Sequence, residues 1–377
     1  MKNDTVLLDV ISSSEQLLEI EHKWNSFIKK YSPNPFFLAG FVTEFLNYFE
    51  LRGWTPMVLV FSVNSTLVGV APLIIRKRLG IHIAQVPFTH PGFSPDFVFD
   101  DEYREDCIPK VFNYLFETLH CKLIYVTFPA NSPTLRILNQ NNCCKGAQVS
   151  LLPEMGRSVL FIEGTWDEFV KSRGKKFRQD CRRTEKYLDA AGAWHVTCLG
   201  REDGDSNAFG RILEVERLSW KQSWRAEMGK EVDQDLLMLW EGARRTAEEE
   251  SDFRWHVWIL ELGGQPLAYA LFFLFKDWCF VAKTSYDERY RRLSLGVYLI
   301  NAAVRELLDE HNLRRFDFLT NLPVIKTWTS LCWPRVTVVM SRGPLSGIVK
   351  IASSTKKIKR LRFIFASLQH RLLTRTV

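Results

Sequence analysis

The stretch from Trp255 to Val297, WHVWILELGGQPLAYALFFLFKDWCFVAKTSYDERYRRLSLGV, decides the fold. Two apolar runs, Trp255 to Leu262 and Gln265 to Phe275, flank Gly263-Gly264. Adjacent glycines between such runs specify a two-residue hairpin turn. Trp278 to Tyr286 reads as a third strand. After a short polar loop, Gly296 to Glu310 repeats apolar residues at helical spacing, and Arg315 to Thr320 reads as a further strand. Antiparallel strands followed by a helix and another strand build a mixed α/β (α+β) sheet rather than a doubly wound one. Neither G-x-G-x-x-G nor G-x-x-x-x-G-K-[ST] occurs, which ranks nucleotide-cofactor folds low.

The same order occurs earlier in the chain. Leu67-Val68-Gly69-Val70-Ala71 corresponds to Leu267-Ala268-Tyr269-Ala270-Leu271, and Asn64-Ser65 stands at the turn where Gly263-Gly264 stand later. Met57 to Val63, Thr66 to Arg76, Ile81 to Pro87 and Leu123 to Phe128 are the expected strands. Ser13 to Tyr31, Phe36 to Phe49, Ile108 to Leu119 and Ser132 to Asn139 are the expected helices. In the second half, Thr165-x-x-Glu168 is a capping box that opens a helix running to about Ala190. Ala208 to Met228 and Leu236 to Glu249 follow as helices, and Pro334 to Ser341 as a last strand. A duplicated α/β unit accounts for this order. Pro153 and Gly156 interrupt the pattern, so the boundary is expected between Leu151 and Ser158, with domains at 1–152 and 153–345 and a tail at 346–377.

With 377 residues, 46% hydrophobic and 25% charged, the chain suits two globular domains and not disorder. Eight of the 50 Lys/Arg fall in 346–377 with no acid among them, leaving 42 against 43 Asp/Glu elsewhere. The body is near neutral, which argues against a broad nucleic-acid face. The cysteines are scattered, with Cys143-Cys144 adjacent and no C-x-x-C, so neither a metal site nor a disulfide framework is expected. They fit free thiols in a reducing cytoplasm. Met1-Lys2-Asn3-Asp4-Thr5 lacks a signal-peptide layout, and the most apolar stretch, Leu267 to Phe275, is about half a membrane span. A cytoplasmic protein is expected, with peripheral contact at the inner face of the membrane as an option carried by the tail.

The loop Arg291-Arg292-Leu293-Ser294-Leu295-Gly296-Val297 lies between a strand and a helix. A helix start there gathers unsatisfied N–H groups at one spot, a site suited to a pyrophosphate. Ser294 could cap the helix, Gly296 would let backbone approach the ligand, and Arg291 and Arg292 add charge. An ordinary serine cap with exposed arginines is the alternative.

This loop is similar to the R/Q-x-x-G-x-G/A pyrophosphate loop of GNAT acyltransferases, with Ser294 replacing the first glycine and Gly296 matching the second. The wider pattern resembles the double-GNAT group of CelD-type cellulose-biosynthesis proteins, relatives of the FemAB aminoacyltransferases. It comprises Lys175-Lys176-Phe177-Arg178, Arg182-Arg183, Ser219-Trp220-Lys221, the Gly263-Gly264 hairpin, Tyr286-Asp287, Ser294-Leu295-Gly296, Phe316-Asp317-Phe318 and Lys326-x-Trp328, over roughly Trp24 to Arg342. The resemblance implies two tandem GNAT-like units, with acyl-CoA, acetyl-CoA first, as co-substrate and no metal. The acceptor would be a small-molecule or glycan amine, such as a polysaccharide or envelope precursor. It also leaves open a FemAB-like transferase drawing on aminoacyl-tRNA, or a non-catalytic interaction protein. Pro91-Gly92-Phe93-Ser94-Pro95 lacks a basic loop, so only the second unit is expected to hold the thioester.

Direct attack of an amine on a thioester needs no protein nucleophile, but it needs orientation and an acid for the thiolate. Tyr286, Asp287, Asp317 and Lys326 are the catalytic candidates. Asp317 lies in an apolar strand, so it needs a partner, with Lys326 or Arg292 the choices and a purely structural pair the alternative. Arg178, Trp220, Lys221 and Trp328 are substrate-binding candidates. Eight Lys/Arg between Lys171 and Lys186 could hold an anionic acceptor, a phosphate-bearing carrier or RNA, or could form a solvated face.

In the tail, Ile358, Leu361, Phe365, Leu368 and Leu372 recur at helical spacing beside a lysine and arginine cluster. Such a helix can lie on an anionic membrane or dock on the protein's own body. Deleting the chain from Ser346 should lower the fraction recovered with membranes. Intact and truncated protein fractionating alike would contradict the membrane role.

Overall fold

The computed structural model describes residues 5–78, 80–87, 96–140, 146–219, 221–222, 234–311 and 313–343. Both hairpins form as read. β2 (Thr55–Val63) pairs antiparallel with β3 (Thr66–Arg78), and β9 (Phe253–Leu262) with β10 (Gln265–Phe275). Asn64 and Ser65 have φ of 47° and 64°, and Gly263 and Gly264 have 56° and 79°. Two successive left-handed residues make the turn whose twist matches that of paired strands.

The chain divides into two compact units. The first contains residues up to Ser32, then Val42–Gly156, and the segment starting at Pro334; the second contains Pro33–Phe41 and Arg157–Trp333. The expected boundary region is no linker: β7 (Gln148–Phe161) runs through it, and the division falls at Gly156/Arg157 within that strand. β13 (Cys332–Ser341), expected in the second domain, returns from Pro334 onward to the first.

The first unit orders its strands β1 (Leu7–Ile11), β2, β3, β4 (Ile81–Gln85), β6 (Leu123–Pro129) and β13, with β5 (Val98–Phe99) on the side of β3. β4 and β6 are parallel, joined through the helix Arg104–Asn113, and β13 closes antiparallel on β6. The second unit repeats this scheme. Its order is β8 (Trp194–Leu199), β9, β10, β11 (Trp278–Tyr286), β12 (Arg315–Asp317) and the end of β7. β11 and β12 are parallel, joined through the helix Leu295–His311, and β7 closes antiparallel on β12. The first unit thus takes its closing strand, β13, from beyond the second unit's run of sequence, whereas the end of β7 leads directly into the second unit. The expected duplication holds as topology, but the return of β13 to the first unit was not in the sequence reading.

Several elements differ in detail. The helix opened by the Thr165 capping box stops at Ser172, and a second helix, Lys175–Ala191, starts after Gly174. Ser13 to Tyr31 resolves into Ser14–Glu19 and Glu21–Tyr31. β1, β5, β7 and β8 were not anticipated.

Each unit has its own core. Phe61, Phe99, Phe112 and Phe128 lie at the centre of the first. In the second, the alternate β10 residues Ala268, Ala270, Phe272 and Leu274 pack with Leu295, Leu299, Phe316 and Trp328. The opposite face of β10 receives Phe36 and Phe41 edge-on against Phe273. Gly40 permits that approach, because a Cβ there would lie 2.5 Å from Thr246 Oγ1 and 2.7 Å from its backbone nitrogen. Gly40→Ala should therefore destabilise the second unit by about 1–3 kcal/mol in denaturant unfolding, since a backbone clash cannot be relieved by a rotamer change.

Candidate active site

β11 and β12 pair over only Trp278↔Arg315, Cys279↔Phe316 and Phe280↔Asp317. Beyond them β11 continues to Tyr286 while β12 ends. The side chain of Asp317 ends it. One carboxylate oxygen accepts the N–H of Leu319 at 2.8 Å, and Leu319 turns at φ 55°. The next N–H, of Phe318, goes to Ser158 of β7 at 3.0 Å and not to β11. Among the described residues, Val281–Tyr286 is therefore left with no strand on its β12 side.

The groups exposed there follow from strand alternation. Asp287 N–H donates to Leu267 O at 2.8 Å, so Asp287 and, two residues back, Ser285 direct their peptide groups toward β10. Thr284 and Tyr286 then direct theirs to the open side. A bulge at Ala282, where the register shifts between Leu271 and Phe272, adds twist where the strands part. Lys221 reaches this edge, with Nζ 3.3 Å from the Thr284 carbonyl and 3.4 Å from Glu216 Oε1. Glu216 is buried and also accepts from Tyr269 Oη at 2.7 Å.

The basic loop lies at the end of the same strand. Glu288–Leu293 forms a short 3-10 turn capped by Asp287, and Ser294 follows at φ 56°, ψ 38°. The backbone carbonyl of Ser294 takes the N–H groups of Val297 and Tyr298 at 2.9 and 3.1 Å. The expected cap through its hydroxyl is not what starts the helix. Among the described residues, the N–H groups of Leu295 and Gly296 have no acceptor, so two donors and the positive helix end face one place. Gly296 lies against β11: a Cβ on it would stand 3.3 Å from Thr284 Oγ1 and 3.7 Å from Tyr286 Cδ1. Val297 continues the first turn. Arg291 and Arg292 are exposed beside it, Arg291 3.6 Å from Glu288.

The helix Lys175–Ala191 is tied to this loop. Thr184 Oγ1 donates to Leu293 O at 2.7 Å, and Tyr298 Oη donates to Glu185 at 3.3 Å. The basic helix therefore flanks the loop 291–297, which sequence spacing could not show.

Of the catalytic candidates, Tyr286 stands at the open edge. Burial, then the charge of Glu288, raises its phenol above the ordinary value, so it stays protonated at neutral pH. Asp287 is fully buried and is bound by the Arg289 backbone and guanidinium, which makes it the clamp of the turn. Asp317 pairs with Arg157 at 3.1 Å, a residue the sequence reading had not considered, and not with Lys326 or Arg292. Lys326 is exposed on the loop after β12.

Arg178 donates to the carbonyls of Lys171 and Arg173, closing the end of the preceding helix. Trp328 is fully buried between Phe177 and Phe318, its indole N–H on Asn301 at 2.6 Å, which makes it a core residue. Trp220, Pro91 to Pro95, Cys143-Cys144 and the tail lie outside the described residues. Residues the sequence reading missed are Thr284, Glu216, Tyr269 and Arg157. Only the buried polar pattern of a strand pair could have hinted at them.

Burial raises the Cys107 and Cys121 thiols to about 12 and holds Cys279 well above its usual value, so none of these is a ready nucleophile. No group of His, Cys, Asp and Glu among the described residues could hold a metal. Among them, too, no helix is long and apolar enough to cross a membrane.

A family model described as an acetyltransferase (GNAT) domain matches residues 175–323, the span from the basic helix to the loop after β12. Among solved structures, FemX is 12% identical, with 87% of this chain and 96% of that one covered and a TM-score of 0.52. A protein of Agrobacterium fabrum described as the C-terminal domain of a lysylphosphatidylglycerol synthetase gives 13%, 90%, 96% and 0.52. The L-PGS of Bacillus licheniformis gives 11%, 90%, 95% and 0.50. No curated protein matches the sequence. The chain has a mixed α/β fold of two GNAT-like units, and residues 175–323 of the second are similar to the GNAT acetyltransferase domain. The narrower CelD-type likeness has no counterpart in these comparisons.

The left-handed Ser294 explains why this loop type favours glycine there, because a Cβ in that region costs about 1–2 kcal/mol. Ser294→Gly should raise stability by about 0.5–1 kcal/mol, read as a higher Tm, with the loop otherwise unchanged.

Proposed function

We propose that this protein is an acyl-CoA-dependent N-acyltransferase, transferring the acyl group of a pantetheine thioester to an amine. The observation that carries this reading is the parting of β11 from β12 beside two unclaimed helix N–H groups. An extended arm bearing amides can add to the open edge through Thr284 and Tyr286, as a strand would. Its pyrophosphate end then reaches the N–H groups of Leu295 and Gly296, with Arg291 and Arg292 adding charge.

The acceptor amine, in its neutral form, attacks the thioester carbonyl carbon, and the C–S bond breaks from the tetrahedral intermediate. The leaving thiolate takes a proton from the Tyr286 hydroxyl, and the amine's surplus proton, released to solvent, is matched by one that the Tyr286 phenolate regains from solvent. Asp317 and Asp287 serve the site by shaping it. Among the described residues the first unit has no matching long arm, since β4 stops at Gln85, the last residue paired with β6. The resemblance to CelD-type proteins favours an amine of a polysaccharide or envelope precursor as acceptor.

A second reading, a transferase drawing on aminoacyl-tRNA, is favoured by one observation, the basic helix tied to the loop through Thr184 and Leu293. A thermal-shift panel separates the two. CoA or acetyl-CoA at about 100 Kd should stabilise the protein by about 2.7 kcal/mol and tRNA should not. Gly296→Glu, which sets a carboxylate at the anion site, should abolish the CoA shift. An unchanged shift in that variant would overturn the assignment, and salt-sensitive tRNA binding alone would favour the second reading.

A further inference from the structure

The loop after β12 has an unusual surface. Both of its ends are pinned to β7: Ser158 N–H donates to Thr320 O at 2.9 Å, and Val159 N–H donates to Leu331 O at 3.1 Å. Ser158 Oγ holds Asn321 at 2.8 Å, and Thr329 Oγ1 holds the Val159 carbonyl at 2.8 Å. From inside, Ile325 and Trp328 anchor the loop in the core, at 6% and 0% exposure. A loop fixed this firmly still turns three aliphatic side chains outward: Leu322, Val324 and Leu331 are 49%, 43% and 44% exposed. Burial of its own core does not require them there.

The surroundings are basic. Arg173 donates to Trp328 O at 2.7 Å and Phe177 packs edge-on against the Trp328 ring, so the junction of two helices, Lys171 to Arg178, sits beside the loop. Lys171, Lys175 and Lys176 are exposed on that junction, and Lys326 on the loop itself. Neither 171–178 nor 318–331 contains an acidic residue. Exposed aliphatic side chains ringed by lysines match the interface of an anionic bilayer, where the chains enter the acyl boundary and the ammonium groups meet headgroup phosphates. A nucleic acid would be served by the lysines but not by the aliphatics.

We propose that the loop 318–331, with the lysines of 171–176, is a docking surface for an anionic lipid bilayer. Since the loop begins where β12 ends, docking brings the open edge of β11 close to the lipid surface. On the acyltransfer reading, on which this last step rests, the acceptor is then an amine carried by a lipid. The docking itself stands without that reading.

The full-length protein is tested by co-sedimentation with vesicles of phosphatidylcholine alone and of phosphatidylcholine with phosphatidylglycerol in equal parts. Amide exchange is followed over 318–331 in parallel. The anionic vesicles should protect the loop amides, and the neutral ones should do so far less. Replacing Leu322, Val324 and Leu331 together by Ser should lower partitioning more than about 10-fold with an unchanged melting curve. Replacing Lys175, Lys176 and Lys326 by Gln should remove the preference for phosphatidylglycerol.

Three results would overturn the proposal. The first is partitioning that ignores both variants while the loop amides exchange freely. The second is protection present without vesicles and lost on deleting 346–377, which would make the chain's own tail the occupant. The third is tRNA capture through these lysines with no protection by lipid. Because every arm reads lipid binding or exchange and none reads turnover, failure here is distinct from failure to bind CoA.

Discussion

The carboxylate of Asp317 is the constraint on which the open edge of the second unit's sheet depends. By taking the N–H of Leu319, it ends β12 after three residue pairs and sends the chain into a left-handed turn. A buried carboxylate needs a counter-charge, and Arg157 supplies one at 3.1 Å although its nitrogen is not aligned for a hydrogen bond. Arg157 in turn lies over the Trp333 ring, which holds the guanidinium in place. Without this arrangement it is left to the bonds of Ser158 to Phe318, Thr320 and Asn321 to hold the chain off the edge of β11 that the proposed ligand needs.

The other parts of the site depend on that opening. β11 retains its pairing to β10 throughout, so its open edge is rigid, and the bulge at Ala282 sets the twist at which it leaves β12. The turn clamped by Asp287 and Arg289 then brings the chain round to Ser294 and the helix Leu295–His311. Gly296 sits against Thr284 and Tyr286, so the helix start and the strand edge form one continuous surface. The lysines, arginines and the protonated Tyr286 are placed around a backbone frame that is already complete.

Much of the frame was legible in the sequence because it is local. Hairpin turns, the capping box at Thr165 and the helix after Gly296 are each determined by a few neighbouring residues. What was not legible is what long-range contact decides. Arg157 and Asp317 are far apart in sequence, so spacing pointed to the nearer Lys326 and Arg292. Pro153 and Gly156 read as a boundary, and the division does fall at Gly156, but inside the continuous strand β7 rather than in a break. Trp328 and Asp287 were singled out from motif order, and only packing shows that one fills the core and the other clamps a turn. Gly174, which divides the basic helix from the one before it, was hidden by continuous helical spacing on both sides.

The central claim is that one ligand spans the strand edge and the helix start. Amide hydrogen exchange resolved at Thr284, Tyr286, Leu295 and Gly296, with and without acetyl-CoA, tests it most directly. The account predicts that all four slow together on binding, while Lys283 and Ser285, already paired to β10, change little. Acetyl-CoA binding with these four amides unaffected would contradict it.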